Sequence, residues 1–410
     1  MTTFPLPLTE LLGQYGSYMV YLLVGIAFGA TLETAGFGNS KKLAAQFYLK
    51  DLTVFKVMFT AIIVAMTLIF LSSALGLLDY NLLWVPPTYL WPGIVGGLIM
   101  GAGFIVGGFC PGTSLVAMAT GKLDGVFFVL GVLSGIFMFG ETVSHFAVFF
   151  ESSFMGRFTI PELFGLSYGT VVVGIVVMAL LMFWGGEKIE AVMGGETAQK
   201  APRWAIPAAG FLIALAALSL VIGQPANDDR WQAIETEKTA LLDERAVQIE
   251  PAELLSLIND SMIKAVLLDV RDERHFNQFH IVGARRLPPD EVVKSAAKMI
   301  AEPANTVFVL MSNDEMHATE AWKQLKAESV PNVYILAGGV NNWIRTYAGE
   351  DFVASRLVRN HENEQPAWRF DAALGSRHQA AEPNPEAFEI EFEPKVKLEL
   401  KRAPTSGGCG

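Results

Sequence analysis

Apolar positions in this chain fall into two regimes. Up to residue 223 they run in long blocks, at 18–32, 55–77, 90–108, 126–149, 168–184 and 204–222. A helix needs roughly 20 apolar residues to cross the hydrocarbon core, so these blocks predict six membrane spans in residues 1–223, the first being the shortest before it meets Glu33. Trp84, Tyr89, Trp91, Trp184 and Trp204 stand at block ends, where amphipathic rings favour the interface. Beyond Gln224 a polar stretch, 224–245, reads as a linker, and the apolar runs become short. Residues 247–258 predict an opening strand and helix; 265–270, 306–311 and 332–336 predict buried strands, with a helix at 318–326 between the last two. Strands alternating with helices indicate a mainly parallel sheet over residues 246–350. The tail, 351–410, is polar over 360–387, where Pro383 and Pro385 favour extended chain, and alternates over 388–400 like an edge strand. The predicted fold class is therefore a polytopic α-helical membrane domain joined to a soluble α/β domain and an extended C-terminal tail.

Charge sharpens the division. Residues 1–223 hold 9 of the 30 Lys and Arg and 11 of the 41 Asp and Glu, leaving 21 and 30 for the rest of the chain. A mean hydropathy of +0.38 fits a chain with half its length in lipid. No basic stripe is present, which argues against a nucleic-acid partner. Two cysteines, Cys110 and Cys409, exclude a disulfide framework. The N-terminus has no basic segment before its first span, so no cleaved signal peptide is expected. The connections after spans one, three and five carry Lys41, Lys42, Lys50, Lys122, Lys188, Lys200 and Arg203, whereas the others carry only Arg157. By the positive-inside rule the basic connections face the cytoplasm of a bacterial inner membrane, and six crossings place both the N-terminus and the soluble domain outside.

The membrane half repeats itself at an offset of 72 residues. Gly25, Gly29, Ala30, Gly36, Phe37, Leu43, Ala45 and Lys50 recur as Gly97, Gly101, Ala102, Gly108, Phe109, Leu115, Ala117 and Lys122. Each copy is a Gly-rich helix, a break, a short helical stretch and a further span; the breaks contain Gly38-Asn39-Ser40 and Cys110-Pro111-Gly112-Thr113-Ser114. Repeats with interrupted helices are typical of transporters, and the breaks tend to mark the substrate site. Close helix packing is the other reading of the glycines; it accounts for Gly25, Gly29, Gly97 and Gly101 but not for Cys-Pro-Gly-Thr-Ser. Pro111 suits the first position of a helix, whose following N–H groups and the hydroxyls of Thr113 and Ser114 would face Cys110. Such a terminus favours an anion and lowers a nearby thiol's pKa. A small buried hydrophobe remains the alternative for Cys110. Glu33, Glu141 and His145 are ionisable residues in or beside spans, functional candidates by default. Glu141 and His145, four apart, would share a helix face and either serve function or pair with each other near the outer boundary.

Gly-Phe-Cys-Pro-Gly-Thr-Ser, the Gly-rich helix before it, Gly121-Lys122-Leu123-Asp124 after it and the tandem copy resemble the YeeE/YedE family of membrane proteins, best over about residues 18–150. The resemblance implies uptake of thiosulfate or another sulfur compound through a pore with central cysteines, and carries that role to Cys110. The first copy has Gly38 where the family pattern expects a cysteine, which implies one reactive position rather than a relay of thiols.

In the soluble half, Asp269-Val270-Arg271, Phe279-His280-Ile281-Val282-Gly283-Ala284 and Ala337-Gly338-Gly339 with Trp343 resemble a rhodanese domain. Members active in sulfur transfer carry a cysteine after the third of these strands; the matching position here is Ser312. A hydroxyl there forms no persulfide and is a poor nucleophile without a base. Asp314 and Glu315 are expected to place negative charge where an anionic donor would sit, and His317 is read as a solvated loop residue. No catalytic role is assigned to Ser312. The chain ends Gly407-Gly408-Cys409-Gly410, which resembles the terminal Gly-Gly-Cys-Gly-Gly arm of the sulfur-carrier proteins of bacterial thiosulfate oxidation; an incidental thiol is the other reading. His361 and His378 are too far apart in sequence to form a metal site, and no metal or cofactor is expected. Together these features predict membrane transport of thiosulfate or a related sulfane-sulfur compound, aided by an inactive rhodanese-like module, with lipid and a soluble sulfur-carrier protein as partners. A membrane-anchored sulfurtransferase or carrier using Cys409, and a docking module that moves no sulfur, are the alternatives.

Overall fold

The computed structural model describes residues 4–6, 8–83, 85–193, 204–358, 361–370, 372–388 and 390–398. They divide into two compact units meeting between Gln224 and Pro225.

The first unit is helical: α1 (Leu8–Thr34), α2 (Ser40–Ala45), α3 (Thr53–Ala74), α4 (Leu90–Gly107), α5 (Pro111–Ala119), α6 (Leu123–Thr142), α7 (Ala147–Phe150), α8 (Ile160–Phe164), α9 (Tyr168–Met193) and α10 (Ala205–Ile222). Among the described residues, six stretches are long and apolar enough to cross a membrane. The first is longer than the sequence pattern predicts, Leu11–Thr34, because helix extends past both ends of its apolar block, with a kink at Gly13, where φ is +67°. Hydrogen bonds and ion pairs fix the two ends of the bundle. At one end Phe4 bonds Leu77 and Asp79, Leu90 bonds Ser153, and Ser73 meets Gln224. At the other, Glu33 faces Lys122, Ser40 meets Asp124, and Glu190 accepts from Lys56 at 2.7 Å. The chain therefore enters and leaves this unit at the same end, as an even number of crossings requires. Small residues let helices approach. A Cβ on Gly125 would stand 2.6 Å from the Ala117 Cβ, and one on Gly169 2.6 Å from the Leu220 Cα. One buried cluster, Ile63, Val172, Val176, Ala179 and Ala216, joins α3, α9 and α10; a second lies at the breaks.

The second unit is built on five parallel strands: β1 (Gln248–Ile249), β2 (Lys264–Asp269), β3 (Arg285–Arg286), β4 (Thr306–Met311) and β5 (Val333–Leu336), in the order β1-β5-β4-β2-β3. Its helices are α11 (Asn227–Asp243), α12 (Pro251–Asn259), α13 (Glu273–Gln278), α14 (Val292–Ile300), α15 (Met316–Ala327), α16 (Gly339–Tyr347) and α17 (Glu350–Arg356). Central β4 is buried along its whole length, which is why its sequence is continuously apolar rather than alternating. Trp322 and Trp343 fill the core, each indole N–H satisfied by a backbone carbonyl, of Val333 and Ala380 respectively.

Two stretches differ from the sequence reading. Most of 224–245 is helix α11, not an open linker; Arg230 pairs with Glu328, Asn227 donates to Glu328 at 2.9 Å, and Trp231 packs edge-on to Trp322. The described part of 388–400 forms no edge strand. Side chains hold it instead: Glu253 accepts from the Lys395 and Val396 N–H groups at 2.8 Å each, and Tyr334 bonds Lys397. The tail also contributes Ala367, Trp368, Ala380 and Ala381 to the hydrophobic core.

Candidate functional site

Both helix breaks in the membrane unit follow one plan. Gly36 and Gly108 take φ values of +83° and +69°, a left-handed conformation that ends the preceding helix and that a Cβ would disfavour. The next residues, Phe37 and Phe109, are buried together in one cluster with Leu43, Val54 and Ala117. The repeat seen in the sequence is thus a repeat in space, with the two breaks packed against each other. Phe109 stacks edge-on to Phe128 at 5.8 Å. Phe128 lies five residues into α6, so the second break sits about 7.5 Å inward from the start of that helix, about a quarter of the way along it from the basic end.

Cys110 caps α5. Its Sγ accepts from the Thr113 N–H at 3.4 Å and the Thr113 hydroxyl at 3.3 Å, and the same hydroxyl accepts from the Cys110 N–H at 3.0 Å. Pro111 occupies the first helical position, where a missing N–H costs nothing. The thiol is half-buried. The sulfur therefore sits at the N-terminus of a nine-residue helix, held there by Thr113, whose hydroxyl is also within 3.1 Å of the Cys110 carbonyl. Ser114 does not join it: its hydroxyl donates to the Pro111 carbonyl at 2.7 Å and it is fully buried.

In the first copy the space is filled differently. A Cβ on Gly38 would lie 2.5 Å from Glu33 Oε2 and 2.8 Å from Lys122 Nζ, so an ion pair between the copies, 3.6 Å long, occupies the side-chain volume. Asn39 caps α2 through the Lys41 N–H, and the Ser40 hydroxyl donates to Asp124 at 2.9 Å. Glu33, Gly38 and Ser40 therefore gather at the interface of the copies. Glu141 and His145 do not. Glu141 lies in the last turn of α6 and His145 in the 3₁₀ turn that follows it. His145 bonds the Thr142 carbonyl through Nδ1 at 3.2 Å.

The second unit has its own constellation at the end of β4. Asp269 and Arg271 are buried and paired at 2.6 Å, and Arg271 also donates to the Phe279 carbonyl and Asn313. Ser312 is fully buried, and its hydroxyl accepts from the Ala318 N–H at 3.3 Å. The Gly338-Gly339 pair explains itself here. With φ of +59°, Gly339 lets the α16 backbone press against the loop; a Cβ would meet the Asp314 carbonyl at 2.0 Å. Val340 and Asn341 N–H groups then bond the Ser312 and Asn313 carbonyls. His275 accepts from the Asn313 amide at 3.1 Å; burial, helped by Arg271 and Arg274 against Asp272, pushes its pKa down and keeps the ring neutral.

The acidic loop side chains turn away from the loop's donors. Asp314 accepts from Asn341, and Glu315 accepts from the Gly338 N–H and from both terminal nitrogens of Arg245. The negative charge at the loop comes from elsewhere, Glu364, a residue the sequence reading did not single out. Its carboxylate accepts from the Ser312 hydroxyl at 2.9 Å and from the Asn313 N–H at 3.1 Å. His317 is exposed, with Nδ1 3.5 Å from Glu364 Oε2. No local pattern marks Glu364, whose partner is 52 positions away. Cys409 lies outside the described residues.

Residues 34–233 match the family described as sulphur transport, and residues 250–346 match the rhodanese-like domain. No curated protein matches the chain.

Proposed function

We propose that this chain, which joins a sulphur-transport region of the YeeE/YedE family to a rhodanese-like domain, carries thiosulfate or a related sulfane-sulfur compound across a bacterial inner membrane, with Cys110 at the constriction of the path. One observation carries this reading: a thiol capping a helix N-terminus, held by Thr113, at a break packed against its own repeat. A divalent oxyanion gains from the helix terminus and from the Gly112 N–H, which has no carbonyl one turn back within the helix. Its terminal sulfur gains from a soft, polarisable partner in Cys110. The hydroxyl of Thr113 positions that sulfur. Lys41, Lys42 and Lys122 sit at the same end of the unit and raise the local anion concentration.

Orientation follows from the basic connections. They face the cytoplasm, so the chain leaves the membrane at Gln224 on the outer side and the rhodanese-like domain works outside the cytoplasm. With a serine at the end of β4, that domain recruits a sulfur donor or a soluble carrier protein rather than turning it over.

The test is uptake of labelled thiosulfate by cells lacking their own system. The wild-type chain is expected to restore uptake and Cys110→Ala to abolish it, with equal amounts of each protein in the membrane. Uptake that survives in Cys110→Ala removes the thiol from the path. A folded, membrane-inserted wild type that moves no thiosulfate removes the transport reading itself. A parallel Cys409→Ala variant that retains uptake would leave the terminal thiol outside the transport step.

A further inference from the structure

The loop between β4 and α15 presents converging donors: the Ser312 hydroxyl and the N–H groups of Asn313, Asp314 and His317. All of them point at the carboxylate of Glu364. Oε1 receives the Ser312 hydroxyl at 2.9 Å and the His317 N–H at 3.2 Å; Oε2 receives the Asn313 N–H at 3.1 Å and the Asp314 N–H at 3.5 Å. Glu364 is 5% exposed, although it belongs to the polar tail. A buried carboxylate is tolerated only where such donors replace its water.

The delivery is built as carefully as the cradle. Leu357 bridges Trp368 in antiparallel fashion, the Val358 N–H donates to the Ala367 carbonyl at 2.8 Å and the Arg369 N–H to the Arg356 carbonyl at 3.0 Å, so 356–358 pairs with 367–369 and Glu364 lies at the tip between them. Asn341 anchors the base: it donates to the Gln365 carbonyl and accepts from the Ala367 N–H and the Trp368 indole. At the tip, Asp314 accepts from the Glu364 N–H at 2.9 Å and Asn313 donates to the Glu364 carbonyl at 2.8 Å. Glu364 holds a φ of +62°, a left-handed conformation unusual for a residue with a long side chain, which local bonds must impose.

We propose that the β4–α15 loop is an oxyanion cradle whose resident ligand is the chain's own Glu364 carboxylate, delivered by the turn at 361–366 as a plug that any external oxyanion must displace. Being covalently tethered, the plug acts at a high effective concentration, and an external anion sees only the fraction of molecules in which it has left. This inference is independent of transport through the membrane unit.

The test is local hydrogen exchange in the full-length protein, using inorganic sulfate as the probe. In the wild type the amides of 312–318 are expected to be protected, and tens of millimolar sulfate to change nothing. In Glu364→Ala their exchange is expected to rise at least tenfold, and the same sulfate to restore protection. Glu364→Gln keeps the shape but turns an amide nitrogen toward N–H donors, so the same direction is expected there even if the alanine variant fails to fold. Exchange unchanged in both variants, or raised exchange that sulfate does not reverse, overturns the proposal.

Discussion

Asp269 and Arg271 offer the sharpest energetic test of the rhodanese-like domain. The carboxylate is fully buried and Arg271 is 4% exposed. Arg271 Nε donates to Oδ1 at 2.9 Å and Nη2 to Oδ2 at 2.6 Å; Nη2 also bonds the Phe279 carbonyl at 2.7 Å, and Nη1 bonds Asn313 at 3.2 Å. Arg271→Met keeps most of the apolar stem but removes every one of these donors. The Asp269 carboxylate then keeps the Arg271 backbone N–H, at 3.1 Å. Breaking one side of a buried pair costs about 3–5 kcal/mol, because the other charge stays buried and uncompensated. That is a large share of a domain's usual stability of roughly 5–15 kcal/mol. At about 2–4 °C per kcal/mol for a domain of this size, the melting point is expected to fall by about 10 °C. The assay is urea and thermal unfolding of a fragment spanning residues 225–404, which holds its own core. The half-exposed Arg245–Glu315 pair serves as the control, with Arg245→Met expected to cost under about 1 kcal/mol. Removing both charges in Asp269→Asn/Arg271→Met should recover part of the loss. An Arg271→Met penalty as small as the control's would refute the reasoning, since it would mean that the carboxylate is not desolvated in solution.

Two further outcomes follow from the packing. Gly125→Ala drives a methyl into Ala117 and the Met118 backbone, so the detergent-purified protein is expected to lose about 1–3 kcal/mol and melt several degrees lower; an unchanged melting point would show that α5 and α6 are not this close. Burial pushes the Tyr347 phenol up to about 12 from its ordinary value near 10. The folded state therefore holds that proton longer than the unfolded one, so the stabilisation is complete below pH 10 and is lost as the pH rises towards 12. Tyr347→Phe should remove that part of the alkaline slope in denaturation midpoints measured from pH 9 to 12; parallel slopes for the two proteins would count against it.

The elements carried by long-range hydropathy were legible in the sequence. Six apolar blocks match six candidate spans among the described residues, and the strand runs at 306–311 and 332–336 contain all of β4 and β5, because burial on both faces favours apolar residues at successive positions. The repeat of Gly36-Phe37 as Gly108-Phe109 was visible because left-handed turns demand glycine. The parts that were not legible depend on partners distant in sequence. The polar pattern of 227–243 does not announce a helix that docks through Arg230 and Trp231, and the alternation at 388–400 looks like a strand although Glu253 and Tyr334, not a ladder, hold it. Asp314 and Glu315 were read as charges facing the loop, yet Arg245 and Asn341 draw them away.

Spans one and three run in the same direction, each from the end that holds Phe4 and Leu90 to the end that holds Lys122. The duplication is therefore parallel, and the copies relate by rotation about the membrane normal rather than by inversion through its plane. Inverted copies can trade conformations, so that one state is the mirror of the other. Parallel copies have no such exchange. Both breaks lie at one depth and face one side, and swapping them leaves the protein open the same way. What distinguishes the copies lies at the breaks themselves, the thiol of Cys110 in one and the Glu33–Lys122 pair beside Gly38 in the other.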